Sequence, residues 1–564
     1  MLRRLVLFCL LTAVFAAPAH AQSGPPLMPG VTYEKTVEFT PRGAVVLHVI
    51  TAPRPGDQNG LYQLAPVLAH ATVSGGVERI TQLEKNVSAQ ATVAGINGDF
   101  SKSSQPSGVY MQGGVLMHTP LSTRSSAGID TAGALHVDRV KFFGTWRGTG
   151  QRRPLNGINE PPKPGQIILF TPAYGARTPT VAGAAEVVLQ PFPAAAPNTD
   201  LTAAVVALGA GNGNTPIPPD GAVLMASGTA IANTLKAEAP VGTPVTTRLI
   251  LQPAWTGVTS AIGGGPVLVR NGKPVFRSLE DFTNDQVSRR DPRAGVGQLA
   301  DGRVILVAID GDQPGYSAGM TSFELGQAMA QLGAVSANAV ASGNDVSVAF
   351  DGQLLNHPAA GEQPVKEALL VQYFGVYAAP PPITLLNGDA DRSAQPLAYK
   401  IVRPSKVTAQ LVGPDGVPRV LEAGVQHDPG SYAFTYSTFD AEGTWHWNVT
   451  ATDDLGRVST IDRPFRYDTT LRGLSAPKTA VGSATIRFTL SRAASVRLRI
   501  ETRNGVSVRD IPAVQLQPGA RSVAWDGTLP HGTRAYGGAY VAHLFVTSEV
   551  GTSELLVPFG FRRG

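Results

Sequence analysis

Four stretches of this chain break apolar runs with glycine, amide and acidic residues, the make-up of a pocket built on loops between strands. The first, residues 94–101, carries Asn97 and Asp99 around Gly98, whose freedom to turn would aim both side chains into a pocket. The second, residues 260–274, contains Gly263, Gly264 and Gly265, where backbone N–H groups can approach an anion such as a phosphodiester. It lacks the Lys-Ser/Thr ending of a nucleotide-binding loop and leads into a strand, which argues against ATP. The third runs from Asp291 and Arg293 through an apolar stretch at 304–309 to Asp310, Gln313 and Tyr316. The fourth, residues 337–352, holds Ser342, Gly343, Asn344 and Asp345 between two apolar segments. Taken singly, the first and fourth stretches are equally well explained as polar turns.

The elements that must carry these groups can be read from the same residues. The unbroken apolar run 304–309 predicts a buried strand that presents Asp310 at its end. A helix is expected directly after Thr321. Thr321 and Glu324 form a capping box, Met320 and Leu325 a hydrophobic staple, and Gly333 a stop. Leu325, Ala328, Met329 and Leu332 give its apolar stripe, and capping accounts for Glu324 without catalysis. Residues 337–352 read as strand, loop, strand, and Asn271-Gly272 as a hairpin turn.

Composition sets the context. Only 15% of the 564 residues are charged, while 62 glycines and 45 prolines suit many short strands joined by tight turns. The formal net charge of +5 comes from scattered bases with no aromatic–basic tract, which argues against a nucleic-acid partner. Arg3 and Arg4 precede an apolar run at 5–15 and the small residues Ala19 and Ala21, the pattern of an export signal over 1–21. That run is too short for a bilayer core of ~30 Å, and no later stretch is long enough, so no transmembrane segment is expected in the mature chain. The expected location is outside the cytoplasm, secreted or on the cell envelope. Cys9 is the one cysteine and lies inside the signal, leaving no thiolate chemistry or disulfide beyond it.

Three consecutive prolines, Pro380 to Pro382, mark a stiff spacer at 379–383. A large domain at 22–378 precedes it. Alternating runs such as 405–412, 443–451, 484–490 and 495–500 follow it, with a hairpin turn at Asn504-Gly505. They predict two β-sandwiches of immunoglobulin type at 384–468 and 469–564. The fold class expected is α+β: mixed, largely antiparallel sheets with few helices, then two all-β sandwiches. Pro518-Gly519, the Val523–Gly527 run with Trp525, and Tyr536-Gly537-Gly538 resemble the Ig-like repeat of flagellar hook-capping proteins. That resemblance assigns Trp525 to the core.

The large domain resembles the phosphodiester glycosidase family. The resemblance is carried by Asn97-Gly98-Asp99-Phe100, Gly263-Gly264-Gly265-Pro266, Arg293 with Gly295 and Gly297, and the Asp310 to Ser317 block before Gly319-Met320-Thr321. Asn356-His357-Pro358 and Gln363-Pro364-Val365 extend it. It implies a secreted hydrolase that cleaves the bond between a sugar and a phosphodiester, possibly in envelope glycoconjugates. It further implies Asp99 and Asp310 as carboxylates, Arg293 with the Gly264 and Gly265 backbone on the phosphate side, and Asn97, Gln313 and Tyr316 at the sugar. Asn344 and Asp345 join the substrate side. No cofactor is expected and no metal is assigned, with Asp310, Asp312 and Asp345 as the alternative ligand set for a hard cation. The chain departs from the family pattern after the helix. Ala341 replaces an aspartate, Gln363 an arginine and Ala294 a threonine, and the glycine run is replaced around Ser342 to Asp345. Asp345 in the polar loop is the candidate for a displaced carboxylate, and the alternative reading is a catalytically impaired relative that binds an envelope glycan or stays associated with the envelope.

Overall fold

The structure is a computed structural model and describes residues 22–23, 26–98 and 105–564. The expected export signal and Asp99 both lie outside the described residues. The chain divides into two compact units, Met1–Tyr373 and Phe374–Gly564. Strands dominate both units and pair largely antiparallel, with five short α-helices among the described residues, all in the first unit. None of these helices is long and apolar enough to cross a membrane.

The first unit holds two eight-stranded and two five-stranded sheets. One eight-stranded sheet positions the chemistry. Its central strands run in the spatial order Gly43–Ala52, Val304–Ile309, Arg293–Leu299, Ala334–Ser342 and Val267–Arg270. Because neighbours are antiparallel, the start of Arg293–Leu299 lies beside the ends of both flanking strands. The register sets Arg293 opposite Ile309 on one side and Ser342 on the other. Three segments far apart in sequence therefore meet at one sheet end: Arg293, the loop after Ile309 and the loop after Ser342.

Every residue of Val304–Ile309 is buried because both faces of the sheet are covered, as its unbroken apolar run predicts. Leu325 and Met329 of the helix Ser322–Gln331 pack on one face with Leu268, Val307 and Ile309. The other face lies over the five-stranded sheet containing Thr92–Gly98 and Glu367–Tyr373. The capping box forms as expected: Thr321 Oγ1 accepts from Glu324 N–H at 3.1 Å, and Glu324 accepts from Thr321 N–H at 2.8 Å. Leu332 departs from the expected stripe. It is the C-cap, where the chain turns away, and its side chain is 39% exposed. Gly98 is the last residue of a strand, and a Cβ there would sit 2.2 Å from Ile262 Cδ1, so a larger residue would require Ile262 to shift.

The second unit consists of two β-sandwiches. In the first, a five-stranded sheet containing Ser405–Val412 and Gly443–Asp453 faces the pair Gln395–Ile401 and Gly430–Tyr436 through contacts such as Phe434 on Trp447. In the second, three strands face five around a core of Ile486, Phe488, Leu498, Leu544 and Trp525. Trp525 is fully buried, in the core role expected for it.

Candidate active site

Arg293 is held by four hydrogen bonds. Its side chain is almost fully buried, and Nε donates to Met320 O at 2.6 Å. One Nη2 reaches Gln286 O at 2.9 Å and Arg289 O at 2.8 Å. Those two carbonyls close the short helix Asn284–Ser288, where carbonyls lack intrahelical partners and favour a cation. Nη1 donates to Ser342 Oγ at 3.2 Å. Four of the five guanidinium N–H groups are thus committed, which fixes the direction of the remaining one on Nη1. Burial pushes Arg293 down to about 10, with Asp291 opposing that shift, so the group stays a cation at neutral pH.

The guanidinium lines a cavity of about 730 Å³. Its wall takes Asp291 and Arg293 from the strand start, Ser342 to Asp345 from the neighbouring loop, and Gln286 and Arg289 from the helix. Arg124 and Phe282 close one side, the guanidinium lying 4.2 Å from the ring centroid, and Gln363 and Pro364 another. Arg289 is anchored by Asp291, with Nη2 to Oδ1 at 2.7 Å. Three arginines share this space with three carboxylates, Asp285, Asp291 and Asp345, and Asp291 is paired with Arg289, so an anion would be met chiefly by Arg293 and Arg124 with Asp345 beside it.

Of the residues expected from sequence, Arg293, Asn344 and Asp345 come together here. Asp310 does not line this cavity. It is buried behind it, and four donors occupy its oxygens. His48 Nε2 donates to Oδ2 at 2.9 Å, Tyr316 O–H at 3.1 Å and His357 N–H at 3.3 Å, while Asn356 Nδ2 donates to Oδ1 at 2.9 Å. Burial pushes this carboxyl up, but the His48 contact, then Asn356 and Tyr316, outweigh it and hold it below the usual range. His48 Nδ1 faces Tyr33 Oη at 2.7 Å. Burial and then the Asp310 charge push Tyr33 up to about 12 and raise Tyr316 as well, so both hydroxyls stay protonated. Asp310 therefore stitches Gly43–Ala52 to the loops that carry Tyr316 and His357. Asp310, expected as a catalytic carboxylate, is thus a buried and fully hydrogen-bonded one.

Gln313 and Tyr316 belong to this second cluster. Gln313 bonds His357, with Nδ1 and Oε1 2.9 Å apart, and Lys35 Nζ donates to Tyr316 Oη at 3.3 Å. Asn97 is fully buried and its Oδ1 accepts from Ser347 N–H at 2.8 Å, so it braces the loop of the fourth stretch rather than facing the cavity. The Gly265 backbone N–H, expected on the phosphate side, is committed within the fold, and Gly264 is closely packed. Gly265 N–H donates to Ala339 O at 2.8 Å, and a Cβ on Gly264 would lie 2.3 Å from that same oxygen. Ala341 is buried and absent from the cavity wall, whereas Gln363 stands in it, its amide on Ala360 O at 2.8 Å. Among the described residues no three acidic or histidine side chains gather as metal ligands, so Asp310, Asp312 and Asp345 form no such set.

Sequence reasoning missed Arg289, Arg124, Phe282, His48 and Tyr33. Arg289 sits two residues before Asp291, and His48 is a lone polar residue in the apolar run 44–50. Those were usable signals. Arg124 and Phe282 come from separate loops and carry none.

Residues 196–372 match the phosphodiester glycosidase family (NAGPA), and residues 474–548 match the FlgD Ig-like domain. The first match takes in Arg293, Asp310 and Asp345 but not Asn97. A protein described as SPbeta prophage-derived uncharacterized protein YomE from Bacillus subtilis is 25% identical over 118 residues, which is 21% of this chain and 18% of that one. A hypothetical protein from Synechocystis shares the fold with a TM-score of 0.52 and 23% identity, over 62% of this chain and 64% of that one. The catalytic domain of zebrafish N-acetylglucosamine-1-phosphodiester alpha-N-acetylglucosaminidase aligns with a TM-score of 0.33 and 12% identity, over 64% of this chain and 86% of that one. The chain thus spans less than two thirds of the length of the Bacillus and Synechocystis proteins.

Proposed function

We propose that the first unit is a hydrolase of glycosyl phosphodiesters, exported to the cell envelope or beyond, with the β-sandwiches serving as spacer or attachment modules. The observation that carries this reading is the cavity in which Arg124, Arg289 and Arg293 share one space with Asp285, Asp291 and Asp345. The match of residues 196–372 to the phosphodiester glycosidases supports the reaction class.

In this reaction water adds to the anomeric carbon, the bond from that carbon to the phosphate oxygen breaks, and a phosphate monoester leaves. The leaving group is a weak base, so it needs charge neutralisation more than protonation. Arg293 supplies a fixed cation whose one uncommitted N–H is held in direction by the other four. Arg289 and Arg124 add charge at the rim. Asp345 is the carboxylate that takes the proton of the attacking water or faces the oxocarbenium-like transition state. Ala341, where the family pattern has an aspartate, lies outside the wall, and this loop presents its acid four residues later.

The test is incubation of protein beginning at Gln22 with a panel of sugar-1-phosphodiesters, including UDP-GlcNAc, with free sugar read by mass spectrometry. Release that falls at least ~100-fold in Asp345→Asn is the expected result. No release from any member, with binding of the same compounds retained, would replace hydrolysis by glycan binding.

A further inference from the structure

A second cavity of about 750 Å³ lies on the far side of the segment 281–288 from the arginine cavity. The two share Pro266 and Phe282 as lining residues. Successive residues of the intervening segment alternate between them: Asp285, Gln286 and Arg289 face the arginines, while Asn284, Val287 and Ser288 face the second space. Arg124 covers the Phe282 ring within the arginine cavity.

The second space is different in character. Val275, Phe276, Leu279, Phe282, Val287 and Phe323 give it an apolar side, with Phe276 set edge-on to Phe323 at 5.1 Å, while Arg277, Glu280, Asn284 and several hydroxyls line the rest. Phe276 is 81% exposed and Leu279 71%, so two large apolar side chains stand at its mouth in water. Leu279 moreover holds a left-handed backbone conformation, φ 57°, which is unfavourable for a leucine. The donation from Arg139 Nη1 to Leu279 O at 3.1 Å pins it there. Neither folding nor solubility accounts for an unfavourable backbone that exposes a leucine.

We propose that this groove binds a hydrocarbon substituent on the phosphate of the substrate, so that the preferred substrate is an amphiphilic glycosyl phosphodiester. The inference rests on the arginine cavity as the phosphate site. An anion held by Arg124 and Arg293 sits beside the Phe282 partition, and a chain attached to it passes over Pro266 and Phe282 into the apolar space. A polar substituent would leave the groove hydrated and gain nothing from it.

The test is calorimetric titration of the full chain with methyl, butyl and octyl phosphate. Affinity is expected to rise about two- to fourfold per methylene along the series. Phe276→Ser combined with Leu279→Ser should flatten that rise and leave methyl phosphate binding unchanged. Both side chains are exposed, so folding is spared. Arg289→Ala should weaken every member of the series by a similar factor. Methyl phosphate binding with no dependence on chain length overturns the groove and leaves the phosphate site standing. Absence of methyl phosphate binding overturns the phosphate site and the groove with it. A flat series together with flotation on phosphatidylcholine vesicles, lost in the double variant, assigns Phe276 and Leu279 to a lipid surface instead.

Discussion

Arg293 stands directly opposite Ser342 in adjacent antiparallel strands and donates to its hydroxyl over 3.2 Å. The contact joins the most tightly held cation of the site to the loop that carries Asp345. It also shows why arginine is required. The fork reaches three backbone carbonyls in addition to Ser342, and a lysine ammonium cannot satisfy the same directions. Arg293→Lys is expected to lose about 2 kcal/mol of stability, because the buried guanidinium bond to Met320 O and the part-buried bonds to the helix-end carbonyls are not all replaced. Urea denaturation reads the stability. Phosphate binding should weaken at least tenfold in the same variant.

Asp310 predicts a different signature from Asp345. Its four donors come from separate segments, so Asp310→Ala strands His48, Asn356, Tyr316 and the His357 amide around an empty site. A loss of about 3 kcal/mol or more is expected, against less than about 0.5 kcal/mol for the loop variant Asp345→Asn. The pH dependence has a definite sign. The carboxyl is held below its ordinary value, so its contribution is complete above the unfolded pKa of about 4 and is lost as pH falls through the folded value. Unfolding measured across pH 2–6 should show a shallower acid limb in Asp310→Asn than in the unaltered protein.

Periodicity carried much of the fold, because strands and helices here obey local rules. The run 304–309, the capping box at Thr321 and the alternating sandwich strands are all buried or bonded as their patterns require. The site was legible only in part. Arg293 and Asp345 announce themselves as polar residues at strand ends. Asp310 does too, yet whether a strand-end carboxylate faces solvent or donors depends on what the neighbouring strand brings. His48 supplies that answer from a position 262 residues away. Gly264 shows the same dependence on a neighbouring strand. Glycine permits close approach of any oxygen, and the one that approaches is Ala339 O rather than a phosphate.

Gly264→Ala tests that last point. The added methyl would meet Ala339 O at 2.3 Å and Asn338 Nδ2 at 2.9 Å, and a strand backbone gives way at a cost. A loss of about 2–3 kcal/mol is expected. Affinity of the folded protein for phosphate esters should stay within about twofold, measured below the denaturation midpoint. A selective loss of affinity with unchanged stability would return the glycine backbone to the anion site.

Gln363 offers a gain rather than a loss. It stands in the wall of the arginine cavity, and its amide makes only local bonds to Ala360 O and Gly361 O. Gln363→Arg places a fourth guanidinium at the rim, where the family pattern carries one. Rim charges act through partly screened space, so the increment should be modest and sensitive to salt. Phosphate ester affinity is expected to tighten about five- to tenfold at low ionic strength, and the advantage should shrink towards unity in 0.5 M salt. Stability should change by less than about 0.5 kcal/mol, since the side chain is at the surface. An affinity that does not move at low salt would mean that the anion lies out of reach of residue 363, with the binding energy confined to the Arg124 and Arg293 side of the cavity.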